Sequence, residues 1–406
     1  MIQRRMLLAG AAGAIAAAPG AARAQGGGKP VRIGVLNDMS GVYSDYQGRG
    51  SVVAAELAVA DGDGRVAGRP VEVVFADHQN KPDIGASIAR RWLDLDGVDM
   101  ILDVPNSAVA LAVAELCREK NKVFIGSGAG TSELTGAKCS PNTVHWTYDT
   151  WSLANSLGRA LVERGGKRWF LLVADYAFGY DLQSSITDAV QKAGGSIAGA
   201  VRHPLGTTDY SSFLLTAQAS RADVLCLANA GGDTTTALKQ AAEFGLTRQM
   251  KVAGPVVNIN MIQPIGLRDA QGLLAVMPFY WDLNEGTRAF AGRFQAAHPR
   301  HLMPNDMQAG CYGATLHFLK AVAQVGGAED GRAVVAAMKA IPTDDPIFGK
   351  GTVRQDGRKI HPVYLMQAKT PAESRGEWDF FKEVGTVPAE QAYRPLADGR
   401  CPLVTG

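Results

Sequence analysis

The chain lacks most of the features that mark a catalyst or a nucleic-acid partner. Its 41 Lys and Arg nearly cancel 39 Asp and Glu. No basic block is present, so nucleic acid and anionic membrane surfaces are not expected partners. The seven histidines are scattered without an H-x-x-x-H spacing, so no metal site is expected. No G-x-S-x-G elbow and no P-loop occurs. Asp77 and His78 adjoin at a strand end, but neighbours on a strand point to opposite faces and form no dyad by adjacency. Past the N-terminus no apolar run is long enough to span a bilayer.

Cysteine is scarce and odd in number, five in all. Cys117, Cys226 and Cys311 fall in helix or strand patterns and read as small core residues. Cys139 and Cys401 lie in Pro/Gly-flanked loops, KCSPN and GRCPL. If a disulfide forms, these two are the expected pair, pinning the C-terminal tail, and the long loop it closes makes ~4–5 kcal/mol available.

Residues 1–24 carry Arg4 and Arg5, an apolar middle from Met6 to Ala18 and the small-residue end Ala22-Arg23-Ala24. This is the pattern of a cleaved secretory signal peptide. Arg4-Arg5 leaves the twin-arginine and ordinary export routes both open. Cleavage near Ala24 removes Arg4, Arg5 and Arg23, leaving 38 basic against 39 acidic residues in about 382, enough for two domains. The expected location is the periplasm.

Short apolar strands alternate with helical patterns from Val31 onward. Strands are expected at 31–36, 71–76, 100–104 and 123–125, with helices at 50–60, 84–95 and 108–120 between them. A second run has strands at 169–174, 196–202, 224–227, 251–253 and 272–277, separated by helices at 180–193, 211–220 and 234–245, after a leading helix at 150–164. Helices near 286–298, 305–325 and 331–340 and a strand at 360–367 complete these units. Such β-α alternation specifies parallel sheets covered on both faces. In open α/β sheets ligands bind beyond the carboxyl ends of the strands, so the cleft between two such units is the expected site.

The loop after Ile125, GSGAGTSELTG, is the centre of that expectation. Gly126, Gly128 and Gly130 let the backbone approach a ligand, and Ser127, Thr131 and Ser132 add hydroxyls among exposed N–H groups, the makings of an anion cradle. The spacing G-x-G-x-G, with no acidic residue ending a strand some twenty residues on, does not fit a dinucleotide fingerprint. No cofactor is expected. A glycine turn without a ligand is the plain alternative.

Several segments carry a family resemblance: NDMSGVYSDYQGRG (37–50), ADHQNKP (76–82), IGSGAGTSELTG (125–136), DYAFGYDL (175–182), ALKQAAEFGL (237–246), VAGP (252–255) and QAGCYGATLHFLKAV (308–322). In order and spacing they resemble the periplasmic binding proteins of ABC importers, of the branched-chain amino-acid-binding type, over essentially the whole mature chain. The resemblance implies an α/β fold of two doubly wound parallel-sheet lobes joined by a three-crossover hinge, the type I clamshell. The crossovers fall near 146–149, 278–281 and 343–347. The implied lobes are 29–147 with 280–344, and 148–279 with 345–390, followed by a tail, 391–406. Hinge closure traps the ligand. The implied partners are a small-molecule carboxylate and ABC permease membrane subunits, the protein acting as a monomer and not as an enzyme.

Residue by residue, the carboxylate-binding positions fall on Ser107, Ala129 and Thr131, with Asn106 and Gly130 beside them. Tyr46 and Phe178 match aromatics that cover the ligand, and Tyr176 adjoins. For each, an ordinary loop or core role is the alternative. Val256 stands where the amino-acid binders carry a glutamate for the ligand's ammonium. A buried cation without a partner costs roughly 3–5 kcal/mol, and Asp175 and Asp233 do not occupy the matching position. Asn229 offers an uncharged donor and acceptor.

HWTYDTW (145–151) and FYWDLNEGTRAFAGRF (279–294) further resemble a subgroup linked to aromatic and other non-amino acids. Tyr148, Tyr280 and Trp281 would bring a flat wall to the hinge, while Trp146, Trp151 and Trp281 also suit hinge packing. Arg49 is either a cleft residue or an exposed helix-start arginine. The expected ligand is a non-amino organic acid. The alternatives are a branched-chain amino acid, a ligand-sensing receptor domain or an exported oxidoreductase.

Overall fold

Valine, isoleucine and leucine fill both faces of the central strands, and helices on either side take that apolar surface out of water. The computed structural model describes residues 28–404; the expected signal peptide, residues 1–24, lies outside the described residues. The first sheet has the spatial order Arg65–Val66, Arg69–Asp77, Val31–Asn37, Met100–Asp103, Val123–Gly126 and Thr143–His145. All its pairings are parallel except the short hairpin at Arg65–Val66.

The second sheet runs Phe381–Val387, Val363–Ala368, Leu274–Met277, Lys251–Ala253, Val224–Ala228, Arg168–Ala174 and Ser196–His203. Its last five strands pair in parallel, and the first two join as antiparallel additions. The chain thus folds as two parallel-sheet lobes, the periplasmic binding protein clamshell. No helix among the described residues is long and apolar enough to cross a membrane.

Differences from the sequence reading are confined to weak patterns. The helix expected at 84–95 ends at Arg91, and Trp92–Asp96 widens into a π turn. Thr143–His145 and Phe381–Val387 are strands too short or too polar to stand out. A further small antiparallel sheet joins Thr343–Asp345, Gly349–Val353 and Lys359–Ile360.

The chain passes between the two cores three times. Trp146 packs in the first core and Tyr148 in the second. Phe279 lies in the first and Tyr280 in the second lobe's outer cluster. Val353 still packs in the first core and Val363 in the second, so the last passage falls later than 343–347. Fully buried Arg358 ties the passages together, donating to the carbonyls of Tyr148 (3.0 Å) and Trp146 (2.6 Å). Carbonyl acceptors, with Asp149 3.7 Å away, offset much of the cost of burying that cation.

Cys139 and Cys401 are joined, their Cα atoms 5.6 Å apart across 262 residues of sequence. Cys117, Cys226 and Cys311 are buried and free. The tail before Cys401 crosses the lobes: Ala389–Ala392 packs on Thr150–Glu163, while Arg394 donates to the Ser132 carbonyl at 3.1 Å.

Candidate ligand cleft

The strand Val123–Gly126 delivers the glycine loop into the gap between the lobes. Ser127 donates to the Met307 carbonyl (2.7 Å), and the Gly128 N–H donates to the Asp103 carbonyl (3.2 Å). Nε2 of buried His145 donates to the Ala129 carbonyl (2.7 Å). Burial, then the nearby Arg358 charge, holds His145 well below its ordinary pKa, so the ring is neutral. Asn37 and Gln47 donate to the Asp103 carboxylate at 3.0 and 3.2 Å. Burial raises Asp103 to about 6.

With its shape so fixed, the loop retains donors. No hydrogen bond from the Ala129 or Gly130 N–H is present among the described residues. The Ser107 oxygen accepts from the Thr131 N–H at 3.2 Å, which leaves the Ser107 O–H free to donate. The Thr131 hydroxyl oxygen accepts from Glu133 N–H (3.3 Å) and caps the turn Ser132–Thr135. Buried, uncharged donors of this kind suit a carboxylate.

Aromatic rings close over this cradle. Tyr46, Tyr148, Tyr176 and Phe178 line a narrow gap with Gly128 and Gly130, whose free volume is ≈ 10 Å³ in this closed form. Phe178, from the second lobe, lies on Gly130, where a Cβ would stand 2.8 Å from its ring. The hydroxyls of Tyr43 and Tyr176 bond across the cleft. Burial raises Tyr43, Tyr46 and Tyr148 well above the usual tyrosine range, so all three remain neutral donors. The lobes are closed: Gly232 N–H donates to Val42 O (2.8 Å), and Asp181 of the second lobe accepts from Ser132 N–H of the first (2.7 Å).

A second, tightly closed pocket also borders Tyr148, lined by Leu153, Val256, Val276 and Met307. Asp306 also lines it, a carboxylate that sequence reasoning missed because Asn305-Asp306 reads only as a helix start. Burial raises Asp306 to about 7. Asp175 and Asp233 are engaged elsewhere, accepting from Tyr180 O–H (2.7 Å) and Gly206 N–H (3.1 Å).

The remaining residues have other duties. Asn106 caps the helix Ser107–Glu119, accepting from Ala108 N–H and Val109 N–H. Both ends of the Asn229 amide are held, one against His203 (3.0 Å) and the other by the Thr234 hydroxyl (2.8 Å). Arg49 is exposed and lies over the Phe75 ring, 4.4 Å from its centroid, outside the cleft. Tyr280 and Trp281 both donate to the Trp378 carbonyl (3.0 and 2.9 Å). Asp77 accepts from Ser40 and His78 from Asn80 N–H, so the two make no catalytic pair. No cluster of metal-ligating side chains occurs among the described residues.

Residues 30–376 match the family described as Periplasmic binding protein. The chain belongs to that family. A periplasmic binding protein from Burkholderia mallei is 46% identical, with TM-score 0.90 over 93% of this chain and 99% of the other. A branched chain amino acid ABC transporter periplasmic ligand-binding protein from Burkholderia xenovorans is 40% identical, with TM-score 0.81 over 92% and 99%. An ABC-transporter solute binding protein from R. palustris, in complex with 4-hydroxybenzoate, shares the fold at 22% identity and TM-score 0.82 over 90% and 98%. This periplasmic binding protein is therefore an ABC-transporter solute binder, with a small molecule and a permease as its partners.

Proposed function

We propose that the protein captures a small carboxylate between its lobes and, as a monomer, hands it to the permease. The observation that carries this reading is the pairing of unspent donors at Ser107, Ala129 and Gly130 with the aromatic wall of Tyr46, Tyr148, Tyr176 and Phe178. Val256, an apolar residue at the far wall, favours an aromatic or other non-amino organic acid. The aromatic-acid complex of the R. palustris protein supports the same class. We assign residues 29–147 and 282–353 to one lobe and 148–278 and 363–390 to the other, with 279–281 as a crossover.

A second reading, a branched-chain amino acid, is favoured by one observation: Asp306 borders the Val256 cavity and supplies an anion there. A thermal-shift screen separates the two. A ligand at 100 times its Kd adds about 2.7 kcal/mol to stability. Stabilisation by aromatic or aliphatic non-amino acids alone supports the first reading; stabilisation by leucine, isoleucine or valine alone supports the second; silence from both panels rejects the carboxylate reading.

A further inference from the structure

The second lobe holds an open cavity of ≈ 420 Å³ at the end of its sheet away from the cleft. Lys251–Ala253 and Leu274–Met277 are neighbours in that sheet, yet only one residue pair, Ala253 with Leu274, is in register. Their carboxyl ends lead toward Val256 and the crossover at 279–281, while their starts diverge. Gly272 marks the divergence: its φ of +82° turns the chain toward the other neighbour, where its N–H donates to the Ala368 carbonyl at 2.9 Å. The strands therefore enclose a wedge. Lys251 N–H donates to the Asp223 carbonyl at 2.9 Å, so by alternation along the strand the Val252 N–H points the other way, into the wedge. No hydrogen bond from that N–H is present among the described residues.

The back of the wedge is apolar, lined by the buried Met250, Leu273 and Leu274. Its mouth carries three exposed cations, Arg164, Arg248 and Lys251. Lys251 donates to the Arg164 carbonyl at 2.8 Å, which leaves two of its N–H groups to donate elsewhere. None of the three makes an ion pair among the described residues. The one acidic side chain on the wall, Asp269, is already paired with Arg268 at 3.3 Å. In a chain whose 41 basic and 39 acidic residues nearly cancel, this is a local excess of positive charge. Unpaired cations with a free N–H are complementary to an oxyanion, and the apolar back rewards a ligand that brings apolar surface with it.

We propose that this wedge is a second binding site, separate from the interlobe cleft, for a small organic anion: an oxyanion head on a short apolar body. None of the residues on its wall lines the gap at the glycine loop, so the inference stands or falls independently of the carboxylate reading above. Because the cations are exposed, binding weakens as salt is added.

The test is calorimetric titration of the mature protein with octanoate, with 1-octanol as the body without a charge and inorganic phosphate as the charge without a body. Ser107→Ala serves as the background, to weaken any binding of octanoate in the cleft. In it, octanoate binds at least ten-fold more tightly than octanol or phosphate. Adding Arg164→Ala, Arg248→Ala and Lys251→Ala weakens octanoate at least ten-fold, and these exposed positions leave the melting temperature nearly unchanged. A crystal grown with octanoate shows the molecule between Lys251 and Leu274. Octanoate seen only in the cleft, affinity unchanged by the three substitutions, octanol or phosphate binding as tightly as octanoate, or no binding at all overturns the inference. Should the substituted protein fail to fold, the crystal with octanoate decides.

Discussion

Gly231 of the second lobe lies on Tyr46 of the first: a Cβ on the glycine would stand 2.7 Å from the ring's Cε1 and 2.4 Å from the Val42 carbonyl oxygen. Its φ of +62° is a second reason for glycine. Closure of the cleft therefore depends on a residue with no side chain. Gly231→Ala is expected to disfavour the closed form by about 1–3 kcal/mol. Ligand affinity falls correspondingly, by ten-fold or more. Small-angle scattering checks this, the variant staying extended at a ligand concentration that compacts the wild type.

Asp181 is a second contact between the lobes, accepting from Ser132 of the first lobe while Thr150 of its own lobe donates to the same carboxylate. Hydrogen bonds to a charged acceptor contribute about 1.5–3 kcal/mol when buried and less when partly exposed, as here. Asp181→Ala is expected to weaken ligand binding about ten-fold and to speed release. Stopped-flow dissociation kinetics measure the change.

The bond between Cys139 and Cys401 closes a long loop and holds the tail across both lobes. Cys139→Ser with Cys401→Ser is expected to cost ~4–5 kcal/mol if chain entropy dominates. Scanning calorimetry would register this as a drop of several degrees, while the ligand's Kd changes little because neither residue lines the cleft.

Much of the architecture was legible because each central strand is a continuous apolar run, such as VRIGVL or WFLLVA, bounded by polar or glycine-rich turns. Phe381–Val387 escaped because FKEVGTV, at a sheet edge, mixes charge and glycine. The glycine loop and the aromatics Tyr46, Tyr176 and Phe178 were visible as strand-end residues, and the fold gathers them round one cavity. Asp306 was not. It lies far along the chain from the loop, and only tertiary packing sets it beside Val256. Asn229 shows the converse, a polar strand-end residue whose amide the fold spends on His203 and Thr234.

Stability should carry the mark of Asp306. Burial raises its carboxyl from an ordinary 3.8 to about 7, so between those values the folded state binds more protons than the unfolded chain. Stability from this group is greatest on the acid side and falls as pH rises through the window. Asp306→Asn removes the penalty, on the order of 4 kcal/mol at most. Chemical denaturation is expected to find the variant more stable than wild type above pH 7, with the difference vanishing near pH 4.

The central claim is that uncharged donors at Ser107, Ala129 and Gly130 recognise a carboxylate. Its most direct measurement is a calorimetric titration of the mature protein with the best carboxylate from the screen and with that acid's primary amide. The two share shape and differ in charge. The account predicts that the amide binds about 100-fold more weakly, as charge-assisted hydrogen bonds are replaced by neutral ones. Equal affinity for acid and amide would contradict it.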